Sequence, residues 1–173
     1  MSYFVVDVES DGPCPGLYSM ISFGAVLVQE DLKNTATFYG ELKPISNDWI
    51  PRALEVSGFT REQTESFSDP SEVMNNFHQW VWDNSKGRPI FISDNNGFDW
   101  QFINYYLWKY VNENIFGFSS RRLADLYCGM QKDSFAKWKH LRNTKHTHNP
   151  VDDAMGNAEV LVKMKNMGLK IRF

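Results

Sequence analysis

Asp7 and Glu9, in the stretch Phe4-Val5-Val6-Asp7-Val8-Glu9-Ser10-Asp11-Gly12, are the first residues of this chain that could do chemistry together. Phe4, Val5, Val6 and Val8 are aromatic or β-branched and predict a buried strand that ends in the Asp11-Gly12-Pro13 turn. Side chains alternate along a strand, so Asp7 and Glu9 project from one face toward one point. Two anions that lose hydration side by side need a cation or a proton between them. A strand that simply runs out into solvent would also carry such a pair, so the motif alone does not decide.

Two further constellations stand beside it. Asn95-Asn96-Gly97-Phe98-Asp99 follows the short apolar stretch Pro89–Ser93 and opens a helix, which puts Asp99 at a strand-to-helix junction. That is the carboxyl edge where α/β sheets hold ligands, although an acid there also suits an ordinary helix N-terminus. In His148-Asn149-Pro150-Val151-Asp152-Asp153, Asn149 is a good N-cap and Pro150 a good first helical residue. Asp152 then falls where an acid folds back onto the cap in a capping box. Asp153, about 100° further round, is left to point elsewhere.

Asp7, Glu9, Asp99 and Asp153 thus supply four carboxylates, each at the end of an element. Such a set suits Mg²⁺ or Mn²⁺, which prefer oxygen ligands. Four carboxylates can hold two ions roughly 3.5–4 Å apart, one activating a water and the other stabilising a leaving oxygen. His148, with an ordinary imidazole pKa near 6.5, is suited to take the proton from that water.

The elements that must position these groups follow from periodicity. Ile21–Val28 and Thr35–Leu42 continue the first strand into an antiparallel meander. Pro51–Val56 is a short helical stretch, and Thr60-Arg61-Glu62-Gln63 starts another turn. Asp69-Pro70 opens a helix with Val73, Phe77, Trp80 and Val81 on one face, which stops near Ser85-Lys86-Gly87. Pro89–Ser93 is a buried strand, Asp99–Val111 a helix, and Arg121–Tyr127 a further strand or turn. The last helix runs from Asn149-Pro150 to about Asn166. A meander followed by alternating helix and strand is a mixed-sheet α/β domain, here one domain over residues 1–173.

Composition narrows the classes. Of 173 residues 42% are hydrophobic and 15% aromatic, enough for a sizeable core, and the net charge of −3 excludes a protein that coats nucleic acid with its whole surface. The two cysteines, Cys14 and Cys128, form no Cys-x-x-Cys pair, which suits a reducing cytoplasm and gives no structural zinc. No apolar run is long enough to span a membrane, so no membrane partner is expected. Between Lys132 and Lys145 five basic residues face one acid, with Phe135 and Trp138 interleaved. That segment could steer a phosphate backbone and stack a base, or be a solvated helix with Trp138 packed inward. His146 and His148 raise zinc as an option, but no nearby cysteine or third histidine completes a site.

In order and spacing, the three constellations resemble the DEDD exonuclease superfamily in its histidine-containing branch. Asp7-Val8-Glu9 matches its Asp-x-Glu motif, Asn95-Asn96-Gly97-Phe98-Asp99 its second and His148 through Asp153 its third. Ser57-Gly58-Phe59-Thr60 and Leu123-Ala124-Asp125-Leu126 resemble its intermediate stretches. His-Asn-Pro-Val-Asp-Asp-Ala-Met-Gly-Asn-Ala-Glu is most similar to small 3′–5′ exoribonucleases first described from mycobacteria. The resemblance implies an RNase H-like fold, a mixed five-stranded sheet flanked by helices. It also implies release of nucleoside 5′-monophosphates from 3′ ends, of RNA in the first place. A DNA 3′–5′ exonuclease or proofreading module with the same chemistry, and a nucleic-acid-binding protein that has lost catalysis, are the alternatives. Asp7, Glu9, Asp99 and Asp153 would be ligands to two Mg²⁺ or Mn²⁺ and His148 the general base. Ser10, Asn95, Lys139 and Arg142 are further candidates for substrate contact, and a homodimer is implied. Pro13-Cys14-Pro15-Gly16 replaces the usual polar loop after the first motif, at a place that bears on substrate preference.

Overall fold

β1 (Ser2–Ser10) lies in the middle of the sheet, with burial on both faces, as its apolar run predicts. The protein is described from a computed structural model over residues 1–172. On one side β1 pairs antiparallel with β2 (Met20–Leu27), which pairs with β3 (Thr37–Glu41). On the other it pairs parallel with β4 (Pro89–Ser93), which pairs with β5 (Ser120–Arg122). The strand order is therefore β3-β2-β1-β4-β5, a five-stranded mixed sheet of the RNase H-like kind.

Helices cover both faces. Between β3 and β4 come α1 (Pro51–Val56), α2 (Arg61–Glu65) and α3 (Pro70–Asp83). α4 (Asn96–Tyr110) links β4 to β5, and α5 (Leu123–Gln131) and α6 (Pro150–Asn166) follow. Alternation along β1 divides the core. Phe4, Val6 and Val8 face α3 and α4, packing with Phe23, Phe77, Phe91, Phe102 and Phe116. Val5 faces the other way, with Ile92, Leu123, Ala154, Ala158 and Leu161. The expected meander, the 89–93 strand and the last helix are present, the last helix with both termini as read.

Two expectations change. Arg121–Tyr127 is not a strand: β5 ends at Arg122 and α5 begins at Leu123. Leu123, Leu126, Tyr127 and Met130 recur at helical spacing and pack on the α6 side, so packing selects the helix. The capping box at α6 is also absent. Asn149 caps as expected, its Oδ1 accepting from the N–H of Val151 and Asp152. Its own N–H donates to the Thr147 hydroxyl, which in turn donates to Asp152 Oδ2. Thr147 thus stands between the cap and the acid.

α6 crosses β1 and β2 with its first turn pressed on the sheet. Gly24 of β2, paired with Asp7, is where the two meet: a Cβ at Gly24 would run into the Pro150–Val151 peptide. The missing side chain thereby sets the height of the α6 N-terminus above Asp7. Gly24→Ala is expected to cost about 1–3 kcal/mol of stability through overpacking, measured by denaturant unfolding, and to lower any metal-dependent activity beyond what the unfolded fraction explains.

Candidate active site

Residues of β1 that share the Val5 face include Asp7 and Glu9, so both carboxylates point toward α6. Asp153 lies in the first turn of α6 and is buried. Carboxylate oxygens of Asp7, Glu9 and Asp153 lie within 4.8 Å of one another. Asp99 arrives by another route. β4 accompanies β1 only as far as Val5, and beyond that point the Val8 N–H donates to Asp99 Oδ1 at 3.2 Å. Asp99 is buried at the start of α4, and its charge acts on Asp7. The four predicted carboxylates therefore meet where β1 and β4 part.

Asp153 is held on both oxygens. Oδ1 accepts from an Arg142 guanidinium nitrogen at 2.9 Å and from the Thr147 N–H at 3.2 Å. Oδ2 accepts from the His148 N–H at 2.9 Å and lies 2.8 Å from His146 Nδ1. Room for the guanidinium comes from Gly156, where a Cβ would stand 2.5 Å from Arg142 Nε. Further along the same face of α6, Glu159 accepts from the N–H groups of Asn143 and Thr144, and Lys163 Nζ donates to the Leu141 carbonyl. The loop before α6 is thus fastened to that helix over its length. It delivers His148 in a left-handed conformation (φ 60°), with Nδ1 turned toward Glu9 Oε1 at 3.6 Å. For a non-glycine residue that conformation costs roughly 1–2 kcal/mol, offset here by the Asp153 bond.

Crowding shows in the protonation of the acids. Burial, then the charges of Asp99, Glu9 and Asp153, raises Asp7 well above the carboxylate range, with Arg142 opposing. Burial and then Asp153 push Glu9 up to about 7. Asp99 rises to about 8, chiefly by burial, although the Ser93 hydroxyl and the Val8 N–H draw it down. Arg142 alone does not neutralise the cluster, and a cation beside Asp7, Glu9 and Asp99 would draw all three back toward the charged form. An all-oxygen donor set of this kind fits Mg²⁺ or Mn²⁺.

A cleft of about 570 Å³ opens over Asp7, Glu9 and Asp99, with His146 and His148 on its rim. Of the predicted substrate contacts, Ser10, Asn95 and Lys139 line it. The Ser10 hydroxyl donates to the Gly12 carbonyl, and Lys139 Nζ lies 3.5 Å from Asp94 Oδ2. Arg142 turns inward onto Asp153, with a side chain only 9% exposed. Trp138 is buried on the α6 side and Phe135 is exposed, and neither aromatic of the basic segment lines the cleft. Sequence reasoning missed Asp94 and the apolar wall of Ile50, Ala53 and Val56, and it set aside His146, which lines the cleft with Pro13 and Phe98. The wall's one readable trace was the apolar spacing of Ile50, Ala53 and Val56.

Known proteins resemble this chain over most of its length. The family model RNase_T, described as Exonuclease, matches residues 4–161. The chain is 39% identical over 145 residues to the 3′–5′ DNA exonuclease Cap18 of Escherichia coli, covering 81% of this chain and 73% of that protein. It is 27% identical over 180 residues to a PolC-type DNA polymerase III of Thermotoga petrophila, of whose length it spans 12%. A solved structure described as 3′-end specific recognition of histone mRNA stem-loop by 3′-exonuclease superposes with a TM-score of 0.78 at 16% identity, covering 99% of this chain and 84% of that one.

The raised acids make the metal-free fold sensitive to pH. A carboxylate whose folded pKa exceeds its unfolded value favours folding below about pH 4, and that contribution is lost as pH rises through 7 to 8. Asp99→Asn keeps an acceptor for the Val8 N–H and removes the charge. Melted in chelator, the variant is expected to exceed the natural protein in Tm by several degrees at pH 8, the advantage growing from pH 4 to pH 8 and shrinking when Mg²⁺ is added.

Proposed function

We propose that this chain, which belongs to the RNase_T exonuclease family, is a 3′–5′ exonuclease in which Asp7, Glu9, Asp99 and Asp153 hold two divalent ions and His148 acts as general base. The observation that carries this reading is the approach of the β1 and α6 carboxylates within 4.8 Å of one another, with Asp99 of α4 bonded to β1 beside them in an open cleft. Bound there, a pair of Mg²⁺ or Mn²⁺ ions would supply the positive charge that stabilises a phosphoryl group in transfer and acidifies the attacking water.

The chain's own groups do the rest. With Nδ1 of His148 turned to Glu9, Nε2 is the ring atom left to take the proton from water. Asp153, clamped by Arg142 and two backbone N–H groups, keeps one orientation while charge moves beside it. The apolar wall of Ile50, Ala53, Val56 and Phe98 would receive the terminal base and exclude water from its face. Lys139, with its exposed ammonium, can leave Asp94 for a backbone phosphate. Arg142, committed to Asp153, is a positioning group in this reading and no longer a substrate contact.

Two polymers have support. The RNA reading rests on the similarity of the third motif to small exoribonucleases, and the superposed 3′-exonuclease is described with an mRNA stem-loop. The DNA reading rests on 39% identity to a DNA exonuclease over most of the chain, and carries more weight because it spans more residues. Among the described residues no helix is long and apolar enough to cross a membrane.

One time-course answers both questions. Matched RNA and DNA oligonucleotides of one sequence, labelled at the 5′ end and incubated with Mg²⁺ or Mn²⁺, are expected to shorten one nucleotide at a time, with DNA the faster. Asp7→Ala is expected to abolish shortening with its circular dichroism unchanged, and His148→Ala to slow it roughly 10²–10⁴-fold. Undiminished shortening by Asp7→Ala would refute the reading.

A further inference from the structure

His146 has no part in the chemistry just described, yet it sits on the rim of the same cleft with Nδ1 2.8 Å from Asp153 Oδ2. Its ring meets that of His148 edge to face, with centroids 4.3 Å apart. One nitrogen of each imidazole and one oxygen of Asp153 all lie within 4.8 Å of one another. In sequence the His-x-His pair lacked a third ligand; the fold supplies it from the first turn of α6. We propose that His146, His148 and Asp153 form a second metal site, selective for a borderline ion of the Zn²⁺ type, whose occupation shuts off hydrolysis. The regulatory part of this proposal rests on the exonuclease reading above; the binding part does not.

Ligand chemistry separates the two sites. Asp7, Glu9 and Asp99 offer only oxygen, which suits Mg²⁺ and Mn²⁺, whereas two imidazoles and one carboxylate are a common donor set for Zn²⁺, with a fourth position left for water. Bonds of about 2.1 Å in a tetrahedral shell place ligand atoms roughly 3.4 Å apart. From separations of up to 4.8 Å the three groups therefore need to close by at most about 1.4 Å. Both imidazoles are about half exposed, so their rings can turn that far, while Asp153 is fixed by Arg142 and stays where it is.

The two sites share Asp153 and His148, so they compete. An ion between the histidines would draw the imidazole of His148 off Glu9 and occupy its lone pair, leaving no base for the attacking water. It would also claim an Asp153 oxygen that the carboxylate cluster needs. Trace Zn²⁺ would then inhibit in the presence of abundant Mg²⁺, and chelation of the zinc would restore activity.

Calorimetric titration of the metal-free protein with Zn²⁺, and separately with Mn²⁺, tests the site without reference to activity. The natural chain is expected to bind Zn²⁺ in the micromolar range or tighter. His146→Gln is expected to weaken Zn²⁺ binding at least tenfold and leave Mn²⁺ binding unchanged, and Asp7→Ala to do the reverse. Unfolding curves for both variants confirm that the fold is retained. Equal Zn²⁺ affinity in the natural chain and His146→Gln would overturn the proposal, since the ion would then lie among the carboxylates alone. With Mg²⁺ saturating, micromolar Zn²⁺ is expected to stop oligonucleotide shortening by the natural chain, with a higher concentration needed for His146→Gln. If no shortening occurs without zinc either, the exonuclease reading fails, while the two titrations still decide whether the site exists.

Discussion

Four carboxylates brought to one edge of a sheet repel one another and lose water as they approach, and the rest of the structure is arranged around bearing that cost. A charged group moved from water toward a protein interior is destabilised by several kcal/mol unless something of opposite sign meets it. Arg142 meets one acid directly, on Asp153. Asp7, Glu9 and Asp99 have protonation constants raised by the same crowding. A divalent cation placed there would remove that tension, and the residue types leave oxygen as the only donor among those three.

What holds the acids together against their repulsion is mostly backbone and small residues. β1 is central and buried, so Asp7 and Glu9 cannot swing away with a mobile edge. Gly24 lets α6 come down onto the sheet, and Gly156 opens a slot for the Arg142 side chain. Just past the end of β1, Asp11 accepts from the Ser19 N–H and pairs with Arg61, which donates to the Ser46 carbonyl. That knot ties the end of β1 to the segment before α1. Rigidity at the site is therefore built from contacts that no single motif contains.

The three motifs were legible because each sits where periodic structure begins or ends. Alternation alone predicts that Asp7 and Glu9 share a face, and Asn149-Pro150 marks the start of α6 to the residue. The basic segment was not legible in the same way. Lys132–Lys145 has no period, and in irregular chain the direction of a side chain follows from distant partners. Arg142 reads as a surface cation until Gly156 and Asp153 are placed beside it. Trp138 reads equally as a stacking platform and as core, and packing against α6 decides for core. The β5–α5 junction failed for a smaller reason, since three strand residues run into a helix without a break between them.

The central claim is that the acids of β1, α4 and α6 act as one cation-binding unit. Diffraction from crystals soaked in Mn²⁺, recorded at a wavelength where manganese scatters anomalously, tests it most directly. The account predicts two anomalous peaks roughly 3.5–4 Å apart, bounded by Asp7, Glu9, Asp99 and Asp153. A map with no peak among these residues, or with manganese bound while Asp99 and Asp153 stand clear of it, would contradict the account.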